Sequence, residues 1–110
     1  MKRLFVYGTL APGQANHHVL SAIPGSWKAA TLQGRLLNEG WGSELGCPGI
    51  VPSHDGEEVE GYVLCSHELG EHWGMLDEFE GDGYKRQLVQ VKIKTGECVD
   101  AYVYALNHAS

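Results

Sequence analysis

Asp77, Glu78, Glu80 and Asp82 crowd carboxylates into one short stretch, the raw material for metal binding or proton transfer. A calcium loop of the EF-hand kind starting at Asp77 needs oxygen ligands where Phe79 and Gly81 stand, so that reading fails. His67 and His72 are five residues apart, one more than the spacing of a zinc-protease helix. At about 100° per residue their imidazoles diverge by about 140° on a regular helix, too far to share one ion, and no metal site is expected. Gly40-Trp41-Gly42-Ser43-Glu44-Leu45-Gly46 misses the dinucleotide fingerprint by one residue and lacks its strand-turn-helix setting; it reads as a loop.

Projection around a helix separates the carboxylates. With Leu69 at 0°, Trp73 falls near 40°, Leu76 near −20° and Glu80 near 20°, whereas Asp77 lies at about 80° and Glu78 at about 180°. Asp77 and Glu78 therefore read as a solvated face, and Glu80 falls inside the apolar stripe. A carboxylate turned toward an apolar interior loses hydration, becomes a better proton acceptor and suits a general base. Being at the helix end, Glu80 is equally able to reach solvent or to pair with Arg86, and periodicity does not choose.

A second group is Val6-Tyr7-Gly8-Thr9-Leu10-Ala11-Pro12-Gly13. Glycine after a buried strand permits a sharp turn whose successive amides converge on an anion or oxyanion, and Thr9 adds a hydroxyl. An ordinary turn has the same local sequence. Tyr84 and Arg86 share one face of their strand, and Tyr102 and Tyr104 share one face of the last; their tips could line a polar pocket, or their rings could simply pack.

The elements that must hold these groups follow from periodicity. Arg3 to Tyr7 is apolar on both faces after its first residue, as in a central strand. Asn16 to Ile23 has a helical pattern closed by Pro24-Gly25. Trp27 to Leu37 reads as a strand interrupted near Gly34, and glycine-rich Asn38 to Asp55 as a long loop. Val59 to Cys65 alternates as a strand, after which Ser66 offers an N-cap to a helix spanning His67 to Glu80, closed by Gly81. Val89, Val91 and Ile93, then Thr95-Gly96, then Val99, Ala101, Val103 and Ala105 predict a carboxy-terminal hairpin. The sum is an α+β domain, its sheet curled into a small mixed β-barrel of about five to seven strands with one or two flanking helices.

Bulk properties narrow the class. The chain has 110 residues, 8 basic and 14 acidic, for a formal charge of −6 with histidines neutral. No basic run exceeds Lys2-Arg3 or Lys85-Arg86, which argues against nucleic-acid partners. Apolar runs of about five to six residues fall far short of the roughly 18–20 that span a bilayer, and no leader pattern precedes them, so no membrane partner is expected. One domain over residues 1–110 suits the length. Cys47, Cys65 and Cys98 are odd in number and widely spaced, which fits a reducing cytoplasm better than a disulfide framework.

Taken together, these blocks resemble the γ-glutamylcyclotransferase-like family, including its γ-glutamylamine cyclotransferase branch. The likeness runs through Val6-Tyr7-Gly8-Thr9-Leu10 with Pro12-Gly13, Gly34-Arg35-Leu36, Pro48-Gly49-Ile50-Val51 and Val59-Glu60-Gly61-Tyr62-Val63. It continues through Leu76-Asp77-Glu78-Phe79-Glu80-Gly81, Tyr84-Lys85-Arg86 and Ala101-Tyr102-Val103-Tyr104. Phe79 stands where a tyrosine is common before the family's glutamate, and Cys47 where many members carry an aromatic residue. The resemblance implies that Tyr7, Gly8, Thr9 and Leu10 bind the glutamyl unit, with Tyr84, Arg86 and Tyr104 as further substrate contacts. Glu80 matches the family's acid/base. The implied reaction needs no cofactor: the α-amine of a small-molecule γ-glutamyl substrate attacks its own γ-carbonyl, closing 5-oxoproline and expelling the attached amine or amino acid. The competing expectations are a non-catalytic binding module of the same fold, and an enzyme that strips a γ-glutamyl protecting group from an acylated metabolite. In either enzyme reading the leaving group would meet the Asn38 to Asp55 stretch. Oligomeric state is not legible.

Overall fold

The computed structural model describes residues 2–7, 20, 23–37, 49–80 and 84–106, with Leu37 and Glu80 represented by their backbone. Its elements are β1 (Lys2–Val6), β2 (Ser26–Leu37), β3 (Gly49–Pro52), β4 (Glu57–Ser66), α1 (Leu69–Glu80), β5 (Tyr84–Ile93) and β6 (Cys98–Leu106). Strands β2, β4, β1, β6 and β5 neighbour one another in that order, and a short pairing of β2 with β5 closes the ring. β1 and β6 are parallel and the other pairs antiparallel, so this is a closed five-stranded mixed barrel with β3 added alongside β2 and α1 packed outside.

The alternation of side chains sorts the apolar residues into two cores. Phe5, Leu32, Val59, Val63, Val91, Val103 and their neighbours pack together on one face of the strands, the interior of the barrel. The alternate positions Leu4, Val6, Leu64 and Tyr104 meet Leu69 and Leu76 of α1, with Leu20 and Ile23 beside them. β1 lies between β4 and β6 and buries both faces, as its unbroken apolar run predicts. Gly61 makes room for this strand: a Cβ there would collide with the Val6 carbonyl oxygen and come within 2.7 Å of the Phe5 ring.

Several expectations need correction. β2 is not interrupted at Gly34. It runs straight through, pairing with β4 from Ser26 to Gly34 and with β3 from Gly34 to Leu37. Glycine there lets the strand change partners, since a Cβ would sit 2.9 Å from both Ile50 Cγ1 and the Val51 carbonyl oxygen. The Asn38 to Asp55 stretch is not all loop: Gly49–Pro52 forms β3, too short for alternation to reveal. Residues 38–48 lie outside the described part, as does most of the Asn16 to Ile23 helix, of which Leu20 is helical. The second helix begins at Leu69, two residues later than expected, and Ser66 belongs to β4. Its hydroxyl accepts a hydrogen bond from the Glu68 amide and donates to the Pro24 carbonyl, so it ties the helix entry to the barrel instead of serving as the N-cap. The carboxy-terminal hairpin stands as read, with Gly96 at φ 105° in the turn.

Candidate active site

The candidate site lies around Tyr104 of β6, which bonds both to the residue after β1 and to the last turn of α1. Tyr7 follows β1 directly and is half-buried, its ring stacked near Phe5 at 6.2 Å between centroids. Its hydroxyl donates to the Tyr104 carbonyl at 2.8 Å and accepts from the Ile50 amide at 3.0 Å. One phenol thus joins the end of β1 to β6 and β3, immediately before Gly8, Thr9 and Leu10. These three residues, expected to cradle the glutamyl unit, lie outside the described ones.

α1 reaches the same end of the barrel from outside. Leu69 and Leu76 are wholly buried, with Trp73 and Phe79 half-buried against the same outer core, so the projected stripe faces the sheet and extends to Phe79. Glu80 closes the helix. Its side chain, for which projection offers an inward carboxylate, solvent or Arg86, lies outside the described atoms.

Asp77 is exposed at the margin of the stripe, as helical projection reads it, but it also has partners that projection did not supply: its Oδ1 accepts a 2.6 Å hydrogen bond from the Tyr104 hydroxyl and lies 3.4 Å from Arg86 Nη1. The cause is register. Arg86 and Tyr104 are directly opposed on β5 and β6, so both side chains rise from the outer face beneath the margin of the helix. The cross-strand pairing could not be read from helical periodicity, although the hairpin alternation already put Arg86 and Tyr104 on definite faces.

Arg86 is held further by aromatic rings. Its guanidinium carbon lies 4.5 Å from the Trp73 ring centroid and 5.7 Å from that of Tyr102, and the two rings meet edge to face at 5.2 Å. Nη1 of Arg86 is buried without a hydrogen-bond partner among the described residues. Tyr84 lies on the same outer face, packed against the core under α1. The structure therefore brings Tyr84, Arg86 and Tyr104 together beside the last turn of α1, and joins Tyr7 to Tyr104 through the backbone.

Among the described residues no group of three or more histidine, cysteine or carboxylate side chains could hold a metal ion. A separate concavity of about 570 Å³ opens where β2 and β5 part beyond the pairs Ala30–Ile93 and Thr31–Lys92. Thr31, Gln33, His54, Glu58 and Gln87 are among its walls, and none of Tyr7, Tyr84, Arg86 or Tyr104 lines it. In the strand order it is across the barrel from β1. No described helix is long and apolar enough to cross a membrane.

Residues 4–110 match the model of the family described as gamma-glutamyl cyclotransferase, AIG2-like. Comparison with curated proteins gives no match. Among solved structures, YkqA from Bacillus subtilis is 33% identical, with a TM-score of 0.72 over 96% of this chain, which spans only 36% of YkqA. An AIG2-like protein of Mus musculus is 26% identical, with a TM-score of 0.71 over 100% of this chain and 80% of its own. A structure described as gamma-glutamyl cyclotransferase, 21% identical, shares the fold at a TM-score of 0.66, covering 96% of this chain and 66% of its own. The mixed barrel, the helix that ends at Glu80 and the match along residues 4–110 lead to one assignment: the chain belongs to the AIG2-like gamma-glutamyl cyclotransferase family.

Proposed function

We propose that the chain releases 5-oxoproline from a γ-glutamyl amine or γ-glutamyl amino acid by intramolecular aminolysis, with Glu80 as the acid/base. The observation that carries this reading is the convergence of the last turn of α1 and the end of β1 on the two polar groups of Tyr104. That convergence supports Glu80 and the Gly8-Thr9-Leu10 turn acting on one substrate. The family membership supports the chemistry.

An α-ammonium with a reference pKa of about 7.7–8.0 is mostly protonated at neutral pH and cannot attack. Glu80 takes its proton, the freed nitrogen bonds to the γ-carbonyl carbon, and a tetrahedral oxyanion forms. Amides of Gly8, Thr9 and Leu10 stabilise that charge, as oriented donors do more effectively than water, which must reorient. Glu80 then returns the proton to the leaving nitrogen as the γ carbon–nitrogen bond breaks and the carbonyl re-forms; the attacking nitrogen's second proton passes through Glu80 to the released amine, which departs as its ammonium, so no co-reactant is consumed. Closing a five-membered ring from one bound molecule needs chiefly positioning, the contribution expected of Tyr7, Tyr84 and Arg86.

The test is a panel of γ-glutamyl amines and γ-glutamyl amino acids offered to the pure protein, with 5-oxoproline measured beside Glu80→Gln. Product from the wild type and a loss of about 10²–10⁴-fold in the variant would support the reading, the range expected for removal of a general acid/base. Donors bound but never turned over would instead identify a non-catalytic binding module. The donor preferred in the panel identifies the leaving group.

A further inference from the structure

We propose that Asp77 and Tyr104 are positioning residues: one hydrogen-bonded relay fixes the last turn of α1 relative to the end of β1. The inference rests on the proposed pairing of Glu80 with the Gly8-Thr9-Leu10 turn, and it explains how two parts from distant segments keep a constant separation.

The end of α1 has packing but an unfavourable charge. Its last turn has no basic residue and carries Asp77, Glu78 and Glu80, whose charges oppose the negative end of the helix dipole. Leu76 is its last fully buried side chain among the described residues and Phe79 is half-buried beyond it, but apolar contact is not directional, so packing alone does not fix the position of the terminal turn. Asp77 supplies the missing direction. Its bond from Tyr104 is short and charge-assisted, and the Arg86 guanidinium offsets its negative charge. As a stabilising ion pair it is modest, because Asp77 remains 47% exposed; its contribution is geometric.

Tyr104 is the fixed point. It is 4% exposed and sits on β6, which is paired on both sides by β1 and β5. Its side chain reaches the helix, and its carbonyl accepts from Tyr7, the residue before Gly8. The relay Asp77–Tyr104–Tyr7–Ile50 therefore links the helix end, the end of β1 and β3 through a single strand residue. In this arrangement Asp77 acts through Glu80 without touching the donor.

Tyr104→Phe removes the hydroxyl and keeps the ring; Asp77→Asn removes the charge and keeps the shape. Glu78→Gln, at an exposed position of the same turn, is the control. In amide proton–nitrogen spectra of the whole chain, Tyr104→Phe and Asp77→Asn are expected to move the resonances of Gly8 and Thr9 and of residues 78–80, and Glu78→Gln to leave Gly8 and Thr9 in place. In the donor assay both relay variants should lose at least tenfold in kcat with KM within twofold, and neither should reduce turnover further in the Glu80→Gln background. Folded relay variants with wild-type resonances at Gly8 and Thr9 would overturn the inference. So would a change confined to KM, which would make Tyr104 a donor contact. If Asp77→Asn fails to fold, Tyr104→Phe decides alone. A wild type that makes no 5-oxoproline overturns the proposed activity, while the spectra still decide whether the relay exists.

Discussion

At the scale of single residues, two acids on one helix have separate proposed tasks. Glu80, the proposed acid/base, closes α1, and its change to Gln should cost two to four orders of magnitude in turnover while leaving the thermal melt unchanged. Asp77, three residues earlier, belongs to Tyr104 and Arg86. Its removal should disturb geometry before it disturbs proton transfer. Helical projection separated the two by angle and read Asp77 as exposed, which it is, but could not show its partners, because the groups that bind it come from β5 and β6. A thiol contrast follows from the same scale: Cys98 is exposed and Cys65 buried. Titration with a thiol reagent should lose one rapidly reacting equivalent in Cys98→Ser and none in Cys65→Ser.

Among the elements, α1 and β1 matter most, because they end where the chemistry is expected. α1 is held by a narrow stripe in which Leu69 and Leu76 are wholly buried, so Leu76→Ala leaves a void between helix and sheet. A loss of about 2–5 kcal/mol by chemical denaturation is expected, the usual range for such truncations in a core. Gly61 on β4 admits the Phe5 ring and the Val6 carbonyl of β1. Gly61→Ala should lower stability by about 1–3 kcal/mol or more, the typical cost of overpacking, and a melting temperature equal to wild type would contradict this account of the close approach. The long alternating strands and the α1 stripe were legible in sequence because each repeats its pattern over two or more turns or pleats. β3 and the change of partners at Gly34 were not, since four residues carry too little periodicity and a glycine reads alike in a bulge, a bend or a straight strand.

For the whole molecule, closure of the barrel decides which residues meet. β1 and β6 are far apart in the chain yet run parallel side by side, and Tyr7 lies within hydrogen-bond reach of Tyr104 only because they do. The charge of the molecule acts at the same scale. With a formal −6 and six histidines, the net charge falls toward zero as the histidines protonate, so solubility should pass through a minimum near about pH 5–6. A solubility maximum in that interval, measured across a pH series at constant ionic strength, would contradict it.

Local chemistry alone settled the kind of fold and the helix that carries Glu80, since each depends on neighbours a few residues apart. Its blocks together also pointed to the family. The meeting of Asp77 with Tyr104 and Arg86, the double use of Tyr104, and the pinning of Tyr7 to β3 required tertiary structure. These contacts join residues 9 to 97 positions apart, and strand register, which no local pattern encodes, determines whether their polar atoms arrive within about 3.5 Å or on opposite faces of the sheet.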